Sequence, residues 1–303
     1  MLSLRNISYS GSITINRIIG RNMFCYVYNN NIWRKNVISR YLLIFFVLIG
    51  SVFAFSDVLP EGNLENKENE EIPLVDVKSI TNPPIIVGEK LTYKVKIGWV
   101  SVGQRVDYVT KKTFIKNKPI YHISSIAKTG ALVSFYRFKS LQYTYLNLEQ
   151  LQPIRFRNQL QDKKYSAIVE ISFNDGEAEY NKKSQANAKA PQKQDKKVLK
   201  ISTGTQDELS MIYFLRSKQL APGNTYYFPL ISKGKVVKVV LNVKRGERMK
   251  VKGIGQVNTL LVQTSEGSRL WLTDDSHHLP IRIETDTKIG KTVAELAKRE
   301  IIR

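Results

Sequence analysis

Thiols and imidazoles are scarce in this chain of 303 residues: Cys25 is the one cysteine, and His122, His277 and His278 are the three histidines. One cysteine excludes an internal disulfide framework. Because Cys25 precedes an apolar run with which it is expected to leave, no thiol chemistry is expected of the mature protein. Three histidines restrict metal chemistry, since a zinc-type site needs three or four ligands converging on one point. The Gly-x-Ser-x-Gly elbow of serine hydrolases is missing. So is a phosphate-binding loop, because Gly253-Ile254-Gly255 lies between strand patterns rather than before a helix. No cleft for a glycosidase-type pair of carboxylates can be located. Long helical periods between strands are also lacking, which excludes a parallel α/β fold.

Acidic residues are absent from the first 54 positions, which carry Arg5, Arg17, Arg21, Arg34, Lys35 and Arg40. The uncharged run 41-YLLIFFVLIGSVFA-54 follows and ends in small residues. A basic stretch, an apolar stretch and a small-x-small end form the pattern of a secretory signal peptide. The run falls short of the ~20 apolar residues that cross a bilayer, so an uncleaved membrane anchor is the second choice. Met23 lies nearer the pattern than Met1 and is the expected start. Residues 1–54 are thus expected to be a signal peptide, and no cysteine follows to carry a lipid. A soluble exported protein, periplasmic in the first instance, is expected.

Without those residues the formal net charge falls from +21 to +15. A basic exported protein meets phospholipid head groups, lipopolysaccharide or cell-wall polymers rather than nucleic acid. An anionic envelope polymer or membrane surface is therefore a candidate partner, beside a plainly solvating role for the lysines. Residues 55–84 are polar, locally acidic (Glu61, Glu65, Glu68, Glu70, Glu71) and interrupted by prolines, and read as a disordered linker.

From residue 85 onward period-two alternation dominates. In 89-EKLTYKVKIGW-99, Leu91, Tyr93, Val95, Ile97 and Trp99 alternate with lysines, threonine and glycine. The signal recurs at 104–110, 119–127, 138–146, 154–161, 165–173, 177–181, 197–201, 225–230, 235–244, 248–253, 256–264, 268–273, 279–286 and 291–301. Turn residues such as Asn174-Asp175-Gly176 and Lys233-Gly234 sit at the junctions. The pattern predicts a single all-β domain over 85–303, mainly antiparallel. Residues 181–197, with six lysines, read as a solvated, protease-sensitive loop. Residues 206–219 read as the main helix, capped by Asp207 and ended by Pro222-Gly223; 130–137 could be helix or strand. One helix of about 20 Å cannot cover so many strands. The sheet must fold into a barrel or sandwich, or curl as a half-barrel round an apolar cavity with the helix at its mouth.

Such a cavity would bind apolar or amphipathic, lipid-like ligands. The aromatic-rich middle of the chain supplies its expected wall: Phe138, Tyr143, Tyr145 and Phe156, with Ile212, Tyr213 and Leu215 from the helix. Plain core packing is the competing reading of these residues. Interleaved basic and aromatic residues (Tyr136-Arg137-Phe138-Lys139) also suit base stacking, but export argues against nucleic acid.

The densest cluster of polar side chains is 270-LWLTDDSHHLPIRIE-284. Adjacent pairs on a strand point to opposite faces, so Asp274-Asp275 and His277-His278 do not form a ready metal site. Asp and Ser instead favour Asx-type turns, with Pro280 opening the next strand. This leaves the two histidines without a role.

Together with the "VGEKLTYKVKIGW" opening, this stretch resembles the bacterial family of domain of unknown function 3108. The resemblance covers about 85–300 and rests on Gly88, Glu89, Leu91 and Tyr93, then on Trp271, Asp274, Asp275, Pro280 and Arg282. It implies an exported envelope protein, similar to the curved sheets of the Lol-system lipoprotein carriers, and no catalytic residues to carry over. The expectation is a noncatalytic protein without cofactor or metal that binds a lipid-like ligand. Alternatives are a structural module docking an unknown envelope partner through a strand edge, or a metal-assisted hydrolase using Asp274, Asp275, His277 and His278.

Overall fold

The computed structural model describes residues 85–302 apart from 116–117, 131–132, 134–136, 266 and 288–289, together with the backbone of 8–9 and 13–14. The expected signal peptide and linker otherwise lie outside the described residues, as do Tyr136 and most of 130–137. Met1–Ser39 is a unit of its own, in which β1 (Ser8–Tyr9) pairs antiparallel with β2 (Ile13–Thr14).

Alternation becomes strand throughout the second unit. In chain order the strands are β3 (Glu89–Ile97), β4 (Val100–Ile115), β5 (Lys118–Thr129), β6 (Phe138–Asn147), β7 (Pro153–Asp162), β8 (Tyr165–Phe173), β9 (Glu177–Gln185) and β10 (Lys193–Lys200). After helix α1 (Ser210–Arg216) come β11 (Thr225–Ser232), β12 (Lys235–Arg245), β13 (Met249–Val251), β14 (Gly255–Val257), β15 (Thr259–Thr264), β16 (Arg269–Thr273), β17 (Pro280–Thr287) and β18 (Gly290–Ile301). Fourteen of them form one sheet, ordered β10-β9-β8-β7-β6-β5-β4-β3-β18-β17-β16-β15-β12-β11, with every neighbour antiparallel; β13 and β14 form a separate hairpin. The all-β expectation and the order of hairpins hold.

Three local expectations are corrected. Residues 181–197 are not a loop: β9 and β10 pair through this stretch from Lys193↔Ser184 to Lys200↔Glu177, leaving only a short turn. Lysines on both faces hide the alternation, because this stretch of β9 and β10 is exposed or half-exposed on both sides, unlike Ala178, Tyr180 and Leu199 nearer the core. The helix spans Ser210–Arg216, half the expected length. Its flanks are turns, with Met211 N–H bonded to Asp207 C=O and Lys218 N–H to Leu215 C=O. Finally, Trp99 does not continue the inner face of β3. It stands in the β3–β4 turn and is 92% exposed.

The sheet curls, and its two margins meet. One apolar core joins Ile171, Ala178 and Tyr180 from one margin to Phe228, Leu230 and Val239 from the other, with Leu209, Ile212 and Leu215 inserted at one end. A Cβ on Gly234, in the β11–β12 turn, would lie 2.9 Å from the Tyr180 ring on β9. Among the described residues no ladder zips β10 to β11. The closure is apolar side-chain burial, each such residue contributing about 1.5–3 kcal/mol.

A polar row divides this interior. Asp107, Ser125, Gln142 and Asn158 lie directly opposite one another across β4, β5, β6 and β7. Beyond them a smaller cluster of Val95, Val102, Ala127 and Phe138 fills the end remote from the helix.

Candidate ligand groove at the open seam of the sheet

Gly88, Glu89, Tyr93, Asp275 and Pro280, which carry the family resemblance, lie at the helix end in structural roles. Gly88 has φ +87°, and a Cβ there would lie 2.0 Å from the Ile302 carbonyl oxygen, so only glycine fits. Next to it the Glu89 carboxylate is fully buried and accepts from Arg216 Nη1 at 2.7 Å and from Arg299 Nη2 at 2.8 Å. The Tyr93 hydroxyl donates to the Pro280 carbonyl at 3.0 Å. Burial pushes the Tyr93 and Tyr213 phenols upward, away from ionisation. Beside them Arg105 and Asp107 form a buried pair at 2.8 Å.

The Asp-Asp-Ser-His-His stretch is an Asx-type turn. Asp275 Oδ1 accepts from His277 N–H at 2.9 Å, His278 N–H at 3.2 Å and Thr273 Oγ1 at 2.9 Å. Asp274 leaves its carboxylate exposed, while its N–H donates to Asn258. The histidines dock this turn on α1: Arg216 Nε donates to the His277 carbonyl at 3.2 Å, and His278 Nδ1–H donates to the Arg216 carbonyl at 3.3 Å. Burial lowers the His278 pKa. Arg282 lies over the Trp271 ring at 5.2 Å and pairs with the buried Glu284. Among the described residues, no three His, Cys, Asp or Glu side chains converge as metal ligands do.

The remaining histidine, His122, stands on the outer face of β5, its ring stacked on Tyr145 at 4.7 Å and Tyr143 at 5.5 Å. Thr110 Oγ1 donates to the His122 carbonyl at 2.9 Å and so accepts from His122 Nδ1–H at 2.6 Å, leaving Nε2 as the unprotonated nitrogen. Burial, with Lys111 adding to it, lowers the pKa of this imidazole.

The structure therefore does not assemble the seven expected ligand-binding residues into one wall. Phe156, Ile212, Tyr213 and Leu215 lie together in the main core, Phe138 lies beyond the polar row, and Tyr143 and Tyr145 face the opposite way. Period two dictates this: in β6, Phe138 is an even number of residues from Thr144 and an odd number from Tyr143 and Tyr145.

An apolar groove exists elsewhere, at the seam. It measures about 330 Å³, within the size range of ligand sites, and is walled by Ile201, Phe228, Pro229, Val236 and Val237. Lys200 and Lys238 flank it. Pro229 has no N–H, so β11 could not carry a full ladder on its outer side. The connection from β10 supplies a single parallel bridge instead: Gln206 N–H donates to the Pro229 carbonyl and Ile231 N–H to the Gln206 carbonyl, each at 2.9 Å. A proline inside an alternating strand was the available sequence signal for this margin. A second groove of about 260 Å³ crosses the outer face of β6–β9; Leu141 and Ile168 line it, but Gln159, Gln161, Gln185 and Gln192 make its wall more polar than that of the seam groove.

Two acids follow the bridge. The buried Asp207 accepts from Thr144 Oγ1 at 2.6 Å and from the N–H groups of Leu209 and Ser210 at 2.8 Å, capping the turn that leads into α1. Burial nevertheless pushes its pKa up to about 6. Glu208, half-buried and hydrogen-bonded by Ser232 Oγ at 3.2 Å, is pushed up to about 7, by burial first and then by Asp207.

No curated protein matches the chain. Among solved structures it is similar to the crystal structure of a beta-barrel-like protein of domain of unknown function DUF1849 from Brucella abortus, at 15% identity and a TM-score of 0.48, covering 72% of this chain and 99% of that one. The model of the protein family of unknown function DUF3108 matches residues 92–297, which span the sheet from β3 to β18 and carry the Tyr93–Pro280 and Trp271–Arg282 contacts. The chain belongs to the DUF3108 family.

Proposed function

We propose that this protein is a noncatalytic binder of an anionic, lipid-like amphiphile, held in the groove at the sheet seam. The groove itself carries this reading: it is the site where an apolar wall is flanked by fixed positive charge. An acyl chain would lie against Phe228, Pro229 and Val237, and Lys200 and Lys238 would meet its head group. Lys238 lies 4.8 Å over the Tyr227 ring, which holds its ammonium near the groove. The reading takes the protein to be exported to the periplasm, on the strength of its basic and apolar N-terminal stretch.

Lipid extraction followed by mass spectrometry of the purified full chain tests the proposal. A stoichiometric amphiphile, or saturable uptake of a fluorescent fatty acid, is expected in the parent and lost in Val237→Asp. The absence of both in the parent chain sinks the reading.

A further inference from the structure

Antiparallel pairing sorts every connection in the sheet to one of two ends. The turns after β3, β5, β7, β9, β15 and β17 lie at the end remote from α1, and those after β4, β6, β8, β12 and β16 lie at the helix end; the curl of the sheet brings the β11–β12 turn next to the segment before α1, where Ser232 bonds Glu208. The two ends differ in charge. Among the described residues, the remote turns carry Arg137, Lys163, Lys164 and Lys189; by sequence Lys288 and one acid, Glu266, also fall in these connections, so the rim remains basic in balance. The helix end mixes Arg248, Lys250 and Lys252 with Glu149, Asp175, Glu247, Asp274 and Asp275.

Trp99 stands at that basic end and is the most exposed of the large apolar side chains. Its stem is fixed, because Ile97 and Val100 on either side of the turn pack into the cluster beneath and Gly98 N–H donates to the Lys291 carbonyl at 3.3 Å. Among the described residues none buries Trp99. Tryptophan is enriched at membrane–water interfaces, where its apolar body and its N–H are both accommodated. Lysines there attract anionic lipid.

From this arrangement we infer that the end of the barrel opposite α1 docks on an anionic phospholipid bilayer, with Trp99 seated among the head groups. The basic residues stand on three connections of one rim, Arg137 after β5, Lys163 and Lys164 after β7 and Lys189 after β9, which fits a plane of phosphates. A single bound anion would need convergent donors, and nucleic acid would need a continuous stacking platform. The docking surface is separate from the seam groove, so either assignment can fail alone.

The test is co-sedimentation of the full chain with vesicles of phosphatidylcholine alone or mixed with phosphatidylglycerol. Any contribution of residues 1–54 is common to all variants, so the difference between variants is the readout. The parent should bind the mixed vesicles in a salt-sensitive manner, with a blue shift of tryptophan emission that Trp99→Phe removes. Lys164→Glu and Lys189→Glu should each weaken binding by about fivefold or more, and Trp99→Ala should weaken it further. The groove variant Val237→Asp should dock like the parent. Equal binding by parent and Trp99→Ala/Lys164→Glu/Lys189→Glu overturns the inference. So does binding to a soluble polyanion such as dextran sulfate without binding to vesicles.

Discussion

The helix end and the seam both join parts of the chain that are far apart in sequence, by opposite means. At the helix end Glu89, Arg216 and Arg299 form a buried ionic cluster, Tyr93 reaches Pro280, and the Asp275 turn is tied to the C-terminus of α1. Each of these contacts demands one partner at one distance. At the seam the margins meet through interchangeable apolar side chains and one parallel bridge. Directional bonds determine the first region, whereas the second is held by non-directional apolar burial and a single bridge. This separates two kinds of closure within one sheet: specific polar contacts at the helix end, and apolar packing at the seam, where the proposed ligand groove lies.

The largest effect should come from breaking the ionic cluster. Glu89→Ala leaves Arg216 buried without its carboxylate, a loss of about 3–5 kcal/mol in such settings. Denaturant unfolding of parent and variant measures it. A loss below about 1 kcal/mol would show that the helix end is no more tightly determined than the seam.

Protonation sharpens the contrast next. The folded pKa values of Asp207 and Glu208, about 6 and about 7, lie above their ordinary values of 3.8 and 4.5. The folded protein therefore keeps protons that the unfolded chain has released, and these two groups lose stability as pH rises through roughly 4.5 to 7. Acidification from pH 8 to pH 5 should return on the order of 4 kcal/mol from the two groups together. His122 and His278, whose pKa values are lowered by burial, work against this, since below about pH 6.5 the unfolded chain takes up their protons. The difference between parent and Asp207→Asn/Glu208→Gln isolates the carboxyls: the variant should lose the gain. The amide introduced by Asp207→Asn can keep its oxygen toward the Leu209 and Ser210 N–H groups, so the cap survives. A parent and variant with the same pH profile would refute the assignment.

At the seam itself, Gly234→Ala places a methyl group against the Tyr180 ring at a residue with φ +73°. The left-handed backbone costs roughly 1–2 kcal/mol for a residue with a Cβ, and the ring has to shift. Thermal unfolding should show that loss. Uptake of a fluorescent fatty acid should change too, because the margins are pushed apart. An unchanged uptake with the expected loss of stability would uncouple the seam from the groove.

Much of this architecture was legible in period-two alternation, because a half-buried strand must alternate. That reasoning located nearly every sheet strand, and the Asp275 turn followed from Asx chemistry. It failed where the strands have no dry face, as in Lys193–Lys196 and the facing end of β9, and where consecutive turns imitate a helical period, as around Ser210–Arg216. It could not pair Glu89 with Arg216, since nothing local ties residues so far apart. Placing Phe138 on one wall with Tyr143 and Tyr145 overlooked the alternation inside β6, which already sets them on opposite faces; joining Phe156 to Tyr213 needed the fold. Which strand faces meet depends on the curl of the sheet, and the curl is a property of all fourteen strands together.

The smallest effect is expected within the motif itself, at Arg282. Its guanidinium stacks 5.2 Å over Trp271 and pairs with Glu284, but Glu284 is also approached by Lys291 at 3.4 Å and Arg269 at 3.6 Å. Arg282→Lys keeps a cation there and removes only the planar stacking, which contributes about 0.5–1 kcal/mol at partly exposed sites. Charge around Glu284 is redundant, whereas the charges around Glu89 are not: among the described residues Glu89 is the one carboxylate that Arg216 pairs with. Unfolding midpoints of Arg282→Lys and Glu89→Ala, measured side by side, should therefore differ several-fold in their displacement from the parent. Equal displacements would mean that stacking on Trp271, rather than the Glu89 cluster, closes the barrel at its helix end.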